Sequence, residues 1–439
     1  MRAAPSMAAV ALLSACAQQP LIRKEAAPTA SVCPASLAAI ARCLAGRDSF
    51  GAHYLIAMPN DWNGHLVLHA HGGPALGEPK PERSVEDLQR WAIMVRAGYA
   101  WAGSTFRQGG VAVRAAAEDT ERLRQIFVTH VAKPKRTILH GQSWGASVAA
   151  QGAEMFSQGA QRPYDAVLLS SGVLAGGTRA YNFRIDLRVV YQYLCNNHPR
   201  PDESAYPLWM GLPPDSTLTQ AQLSQRTREC LGLGLPTAQR TAEQQRKLDT
   251  IVKVIRIPAT SVQGHLNWAT WHFRDIAQKR SGGRNVFGNA GVRYAGSADD
   301  AALNAGVLRY AADPQAVAQF GADADLGGRI PVPVLTVHGV KDAVAFVEMD
   351  HSFRQTMERA GTAGHLVQTF TDDSEHSYLS DPAYPTLMGA LLRWVELGVK
   401  PTPQGIAKDC PGFEAKFGAG CRFLPDYAPA SLESKVPAR

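Results

Sequence analysis

The sequence predicts an α/β protein: a central, mainly parallel sheet covered by helices on both faces and interrupted once by a large insertion. Three observations predict it. Strand-like and helix-like segments alternate over residues 53–170 and again over 332–397. Several of the strands, 166–170 and 332–337 most clearly, are short apolar runs of the kind that is buried on both faces. Finally, 439 residues of which 45% are hydrophobic and 19% charged suffice to bury a large core.

Taken in order, two β-like segments at 53–58 and 65–70 flank a connection whose Asn63 and Gly64 make a tight turn. A helix is expected over 84–97, a strand over 99–105, a helix over 111–131, a strand over 136–140, a helix after Ser143 and a strand over 166–170. From Gly172 to about Arg329 the pattern is irregular, punctuated by Pro201, Pro207, Pro213, Pro214 and Pro236, and reads as an insertion. Within it, 297–310 reads as an amphipathic helix with Asp299 and Asp300 in its first turn. Regularity resumes with a strand over 332–337, a helix near 344–360, a strand over 365–371 and a final helix over 384–397. The expected divisions are a signal segment 1–15, a tether and extension 16–49, core segments 50–171 and 330–399 around the insertion 172–329, and a tail 400–439.

At the amino terminus Arg2 precedes the apolar run 7–13, which is too short to span a bilayer and is of the size of a secretory signal. Leu13, Ser14, Ala15 and Cys16 follow and resemble the bacterial lipobox, which implies that Cys16 becomes the first mature residue and carries a lipid. Ala17 after that cysteine implies placement at the outer membrane, in the periplasm or cell envelope, with membrane contact through the lipid alone. Six further cysteines, Cys33, Cys43, Cys195, Cys230, Cys410 and Cys421, suit disulfides in an exported chain. Of the 15 possible connectivities for six thiols, pairing of neighbours is preferred because each bond then closes a short loop. No Cys-x-x-Cys or histidine cluster suggests a metal. Lys plus Arg (45) exceed Asp plus Glu (38) by 7, but the charges are interspersed and the longest basic cluster is Lys133, Lys135 and Arg136 around Pro134, which argues against nucleic acid as a partner.

The chemistry lies where strands end. Gly141, Gln142, Ser143, Trp144 and Gly145 follow an apolar strand and open a helix of small residues, as a nucleophile elbow requires. Gly141 and Gly145 leave room for strand and helix to approach each other. His71, Gly72, Gly73 and Pro74 directly follow the strand 65–70. There Gly73, with Gly72 next, offers a backbone N–H that pairs with that of Trp144 to form an oxyanion hole, and His71 braces the loop. Asp342 lies just past the strand 332–337, and His376 follows the strand 365–371. The order Ser143, Asp342, His376 assigns a nucleophile, an orienting acid and a general base. Asp350 and His351 fall inside a helical stretch, and Asp372, Asp373 and Glu375 lie too near His376 to orient it easily.

Residues 50–397 carrying these motifs resemble the α/β-hydrolase superfamily. The His-Gly-Gly-Pro and Gly-x-Ser-Trp-Gly strings are similar to the proline iminopeptidase branch, although Ala75 follows the proline and Val340, Lys341, Asp342 replaces that branch's Arg-x-Asp acid motif. The insertion is expected to fold over the site as a cap. Its 18 Lys plus Arg against 13 Asp plus Glu suit an acid-bearing ester better than the free amine of an aminopeptidase substrate. Trp268, Trp271 and Phe273 either line an acyl or aryl pocket or pack the cap onto the core. The expected activity is that of a secreted serine hydrolase acting on small or oligomeric carboxylic esters without a cofactor. A proline-type aminopeptidase, an acyltransferase and an inactive binding module are the alternatives.

Overall fold

The computed structural model describes residues 24–160 and 162–439, so the expected signal and Cys16 lie outside the described residues. Its nine strands are β1 Thr29–Ser31, β2 Ala41–Arg47, β3 His53–Pro59, β4 His65–Ala70, β5 Ala100–Ser104, β6 Arg136–Gln142, β7 Ala166–Ser170, β8 Val334–Gly339 and β9 Leu366–Thr371. They form one sheet in the order β1-β2-β3-β5-β4-β6-β7-β8-β9. The first four in that order pair antiparallel and the rest parallel. With helices on both faces, this is the α/β-hydrolase fold.

Side-chain alternation along each strand feeds two cores. Leu66, Leu68, Leu139, Val167 and Val334 meet Leu123, Phe127, Ala149 and Phe353 on one face. Val67, Ile138, Leu168 and Leu335 meet Trp91, Ile93, Leu387 and Leu391 on the other. Register then sets where the loops emerge. Ala70 on β4 pairs with Gly141 on β6, and Gly339 on β8 pairs with Thr371 on β9. The loops after these four strands therefore leave the same, carboxyl-terminal edge of the sheet, where open α/β sheets bind ligands.

Several expectations need correction. The helix expected over 84–97 is two, Glu82–Arg90 and Ala92–Arg96, because the chain breaks at Trp91, whose fully buried ring packs among His69, His140, Tyr378 and Tyr384. Residues 172–329 are not irregular. They hold the helices Phe183–Cys195, Gln220–Leu231, Ala242–Ile255, Val262–Asp275 and Pro314–Ala324. The five prolines that suggested irregularity all sit between these helices, where no helical N–H is needed. Thr219 with Gln222 and Thr241 with Gln244 form capping boxes that start two of them. Over 297–310 only Asp300–Gly306 is helical, capped by Asp299, and Tyr310 instead bonds its backbone to the Asn289 side chain. The tether and extension expected over 16–49 contain β1 and β2, which pair with each other and through β3 extend the sheet. The tail is folded too, in the helices Pro403–Asp409 and Pro411–Phe417, and its terminal Arg439 reaches the cap at Asp186 (2.6 Å).

Disulfides join Cys33 to Cys43, Cys195 to Cys230 and Cys410 to Cys421, the neighbours in sequence. No helix among the described residues is long and apolar enough to cross a membrane.

Candidate active site

Ser143 sits at the turn between β6 and the helix Trp144–Phe156 with φ 56° and ψ −121°, a conformation that side-chain-bearing residues rarely adopt. Its backbone is held on both sides, its N–H donating to Ser170 O (2.9 Å) and its carbonyl accepting from Val173 N (3.0 Å). The flanking glycines are sterically required. A Cβ on Gly141 would lie 2.2 Å from Gly145 O, and one on Gly145 would lie 2.0 Å from Ala70 O.

Asp342 and His376 come from the loops after β8 and β9. Those loops are tied to each other by Val340 N to Thr371 O and Lys341 N to Asp373 O, both 2.9 Å. As a result His376 Nε2 stands 2.8 Å from Ser143 Oγ and His376 Nδ1 stands 2.7 Å from Asp342 Oδ2. The other carboxylate oxygen of Asp342 accepts from Val344 N (2.8 Å) and Ala345 N (3.1 Å). The structure thus brings hydroxyl, imidazole and carboxylate into one hydrogen-bonded line. Asp372 and Asp373 are instead engaged by Lys341 and Arg422 (both 2.5 Å).

Behind this line lies a pair that sequence reasoning passed over. His338, fully buried on β8, places Nδ1 2.7 Å from Asp350 Oδ2, and Nε2 2.9 Å from Ala345 O and 3.3 Å from Asp342 Oδ2. Both ring nitrogens face acceptors, so both must carry protons and the ring is a cation. Burial opposes that charge, but the hydrogen bonds to Asp342 and Asp350 and their negative charges outweigh it, and the imidazole is pushed up to about 10. Burial likewise opposes the charge of Asp342, yet the bonds from His338 and His376 hold its carboxyl down at about 2. One positive charge shared between two carboxylates leaves a net negative charge facing His376, suited to a ring that turns cationic on taking a proton. The legible signal was the spacing of His338 and Asp342 on either side of a strand end; Asp350 had been set aside because its stretch is helical, and it does lie in the helix Glu348–Arg359.

The loop after β4 lies across from Ser143. Gly73 has φ 68° and Gly72 has no room for a side chain, since a Cβ would lie 2.2 Å from Gln142 Oε1. The Gly72 carbonyl accepts from Arg83 Nη2 (2.6 Å) and His71 Nδ1 (3.1 Å). In the trans peptide this turns the Gly73 N–H the opposite way. Trp144 N–H opens its helix and has no intrahelical acceptor. His71 is buried against the Phe106 ring (4.5 Å), and burial pushes it down to about 3, so it braces the loop as a neutral ring.

Gly72, Gly73, Ser143, Trp144 and His376 line one cavity of about 320 Å³, roofed from the cap by Tyr181, Arg184 and Trp268. A larger cavity of about 690 Å³ lies elsewhere, between cap and tail, and contains none of these groups. Of the three expected aromatics only Trp268 reaches the site. Phe273 is fully buried inside the cap against Phe287 (4.4 Å), and Trp271 packs on the cap's hydrophobic cluster. At 3.6 residues per turn, Phe273, five beyond Trp268, lies about 140° around the helix from it, whereas His272, four beyond, lies on the same face and stacks on it (4.7 Å). His272 Nε2 donates to Pro74 O (3.0 Å) and His265 Nε2 to Ala343 O (2.8 Å), so the helix Val262–Asp275 is pinned to the loops on both sides of the cavity.

Fold and site together define a sheet-edge cavity in which a serine hydroxyl can pass its proton to an imidazole oriented by a carboxylate. No family model and no curated protein matches the chain. Among solved structures, the rice cell wall degrading esterase LipA from Xanthomonas oryzae is similar at 11% identity and a TM-score of 0.38, over 76% of this chain and 83% of that one. An esterase of Pyrococcus furiosus is similar at 13% identity and 0.39, over 90% of this chain and 99% of its own. A puromycin-hydrolyzing peptidase of Mycobacterium tuberculosis is similar at 13% and 0.38, over 80% of this chain and 39% of that one.

Proposed function

We propose that the protein hydrolyses carboxylic esters through an acyl-enzyme on Ser143. The observation that carries this reading is the unbroken line from Ser143 Oγ through His376 to Asp342. His376 takes the hydroxyl proton as Ser143 attacks the ester carbonyl and returns it to the departing alcohol. Water, activated by the same ring, then releases the acid. The N–H groups of Gly73 and Trp144 stabilise the oxyanion, each worth about 3 kcal/mol in the transition state. An ester is favoured over an aminopeptidase substrate because among the described residues no carboxylate lines this cavity to hold a free amine, while Arg83, Arg90 and Arg184 do line it. A panel of aryl esters of increasing acyl length beside a prolyl arylamide tests the reading. Ester turnover that disappears in Ser143→Ala is expected; turnover of the amide alone would reverse the assignment, and unchanged turnover in Ser143→Ala would remove the serine from the mechanism.

We also propose that the chain is exported and acylated at Cys16. The short apolar run at 7–13, the string Leu13 to Cys16 and the three disulfides support it. Labelling of cells with a palmitate analogue should mark the wild type and not Cys16→Ser. Equal labelling of both would overturn this assignment.

A further inference from the structure

Two arginines one turn apart on the helix Phe183–Cys195 have opposite fates. Both are buried, Arg184 to 4% exposure and Arg188 to 1%. Arg188 is anchored through its terminal nitrogens: its Nη1 donates to the carbonyls of Leu208 (2.8 Å), Gly211 (2.7 Å) and Ala269 (3.2 Å), as a guanidinium that holds a fold together should, and only its Nε is buried without a partner. Arg184 is not. Among the described residues its one hydrogen bond is a 3.5 Å contact from Nη1 to Ala180 O and no carboxylate pairs with it, and its Nε, like that of Arg188, is buried with no partner. Burial accordingly pushes it down to about 9. The guanidinium instead lies over aromatic faces, 4.4 Å from Trp268, 4.5 Å from Phe183 and 5.4 Å from Tyr181. These rings hold the planar fork in place without using its donors.

A buried cation with unused donors is costly unless something supplies the missing acceptors. Arg184 lines the same cavity as Ser143, Gly73 and His376. Of the two other arginines there, Arg83 is already engaged by Gly72 O and Asp87, and Arg90 is exposed rather than buried. Resting on the ester-hydrolase reading of this site, we propose that Arg184 is the specificity residue for a substrate carboxylate, and that the enzyme acts on esters bearing a second, free acid group, such as monoesters of dicarboxylic acids. The two oxygens of a carboxylate match the guanidinium fork. With that acid on Arg184, the ester carbonyl a few carbons away is presented to Ser143 across the cavity. Ser143 Oγ displaces the alcohol, which leaves with the hydroxyl proton carried by His376, and water then breaks the acyl–Oγ bond, giving one proton back to Ser143 and leaving a dicarboxylate. The excess of basic residues in the cap, 18 against 13 acidic, draws such anions toward the mouth.

The test compares monomethyl adipate with methyl hexanoate, which differ in one terminal acid. The readout is the ratio of their kcat/KM values, so that general damage to the enzyme cancels. Wild type is expected to prefer the acid by about 10- to 100-fold, the range expected for one charged, desolvated hydrogen-bonding group. Arg184→Gln and Arg184→Met, the latter keeping a flexible apolar stem against Trp268, should bring the ratio close to one, and Arg184→Lys should retain part of it. A ratio unchanged in both Arg184→Gln and Arg184→Met, or no preference in wild type, would overturn the proposal while leaving the esterase reading standing. Calorimetric binding of adipate to Ser143→Ala separates the two in the other direction. Binding weakened about tenfold or more by adding Arg184→Gln supports the anion site even if neither ester is turned over, in which case the hydrolase reading is what fails.

Discussion

Asp342→Asn is expected to fold and to lose about 10⁴-fold in kcat on aryl esters, comparable to the loss that follows when a triad imidazole is held in the wrong tautomer. The hydrogen bonds around Asp342 explain why so small a change does so much. Oδ1 accepts from two backbone N–H groups, at Val344 and Ala345, so the carbonyl oxygen of an asparagine would take that side. Its amide would then occupy the place of Oδ2 and present N–H to His376 Nδ1, which stands 2.7 Å away. Nδ1 would have to accept, Nε2 would carry the proton, and the ring could no longer take one from Ser143 Oγ. The same amide would face His338 Nε2, donor against donor at 3.3 Å, and that buried cation would lose part of its counter-charge. A second consequence is therefore lower stability in addition to lower rate. Initial rates across pH, with circular dichroism to check folding, decide the matter. A variant retaining more than about a tenth of wild-type kcat would show that Asp342 does not orient the base.

The second large effect belongs to His338. In His338→Leu the carboxylates of Asp342 and Asp350 lose the cation between them, and unfolding free energy should fall by about 3–5 kcal/mol, the usual result of removing one partner from a buried ion pair. Its pH dependence has a definite sign. The ring is raised from 6.5 to about 10 in the folded state, so its stabilisation is fully present below about pH 6.5 and is lost as pH rises through about 10. Asp342 acts in the opposite range. Its carboxyl is lowered from 3.8 to about 2, so its contribution is present above about pH 3.8 and is lost as pH falls through about 2. Wild type should therefore lose stability progressively from pH 6.5 to 10, and His338→Leu should lack most of that slope. His338→Gln, which keeps polar contact without the charge, should lack it as well. Urea unfolding at a series of pH values reads both curves, and parallel curves for wild type and variants would mean that the ring is neutral in the folded protein.

Comparison of particular residues shows what was legible. The elbow was, because its marks are local: the serine at positive φ and the two glycines fall inside five consecutive residues, even though the backbone atom that excludes a Cβ at Gly145 is Ala70 O on β4. So was the parallel part of the sheet, since strands buried on both faces read as near-continuous apolar runs rather than as alternating ones. The cap helices were legible in principle through the Thr219 and Thr241 capping boxes, but prolines that only separate helices outweighed that signal. The strand β2 was missed because its burial pattern is mixed, with no clean alternation to reveal it.

By itself the sequence determined the alternation of elements, the steric form of the elbow and the order Ser143, Asp342, His376, because each depends on backbone conformation and side-chain period over a few neighbouring residues. Only the tertiary structure decided which of two arginines on one helix would be satisfied, that Trp268 and not Phe273 would reach the cavity, and that His338 would be shared between Asp342 and Asp350. The reason is that the energy of a buried polar group depends on the partners that surround it. Those partners come from segments far apart in the chain and are fixed only when the cap and sheet pack together.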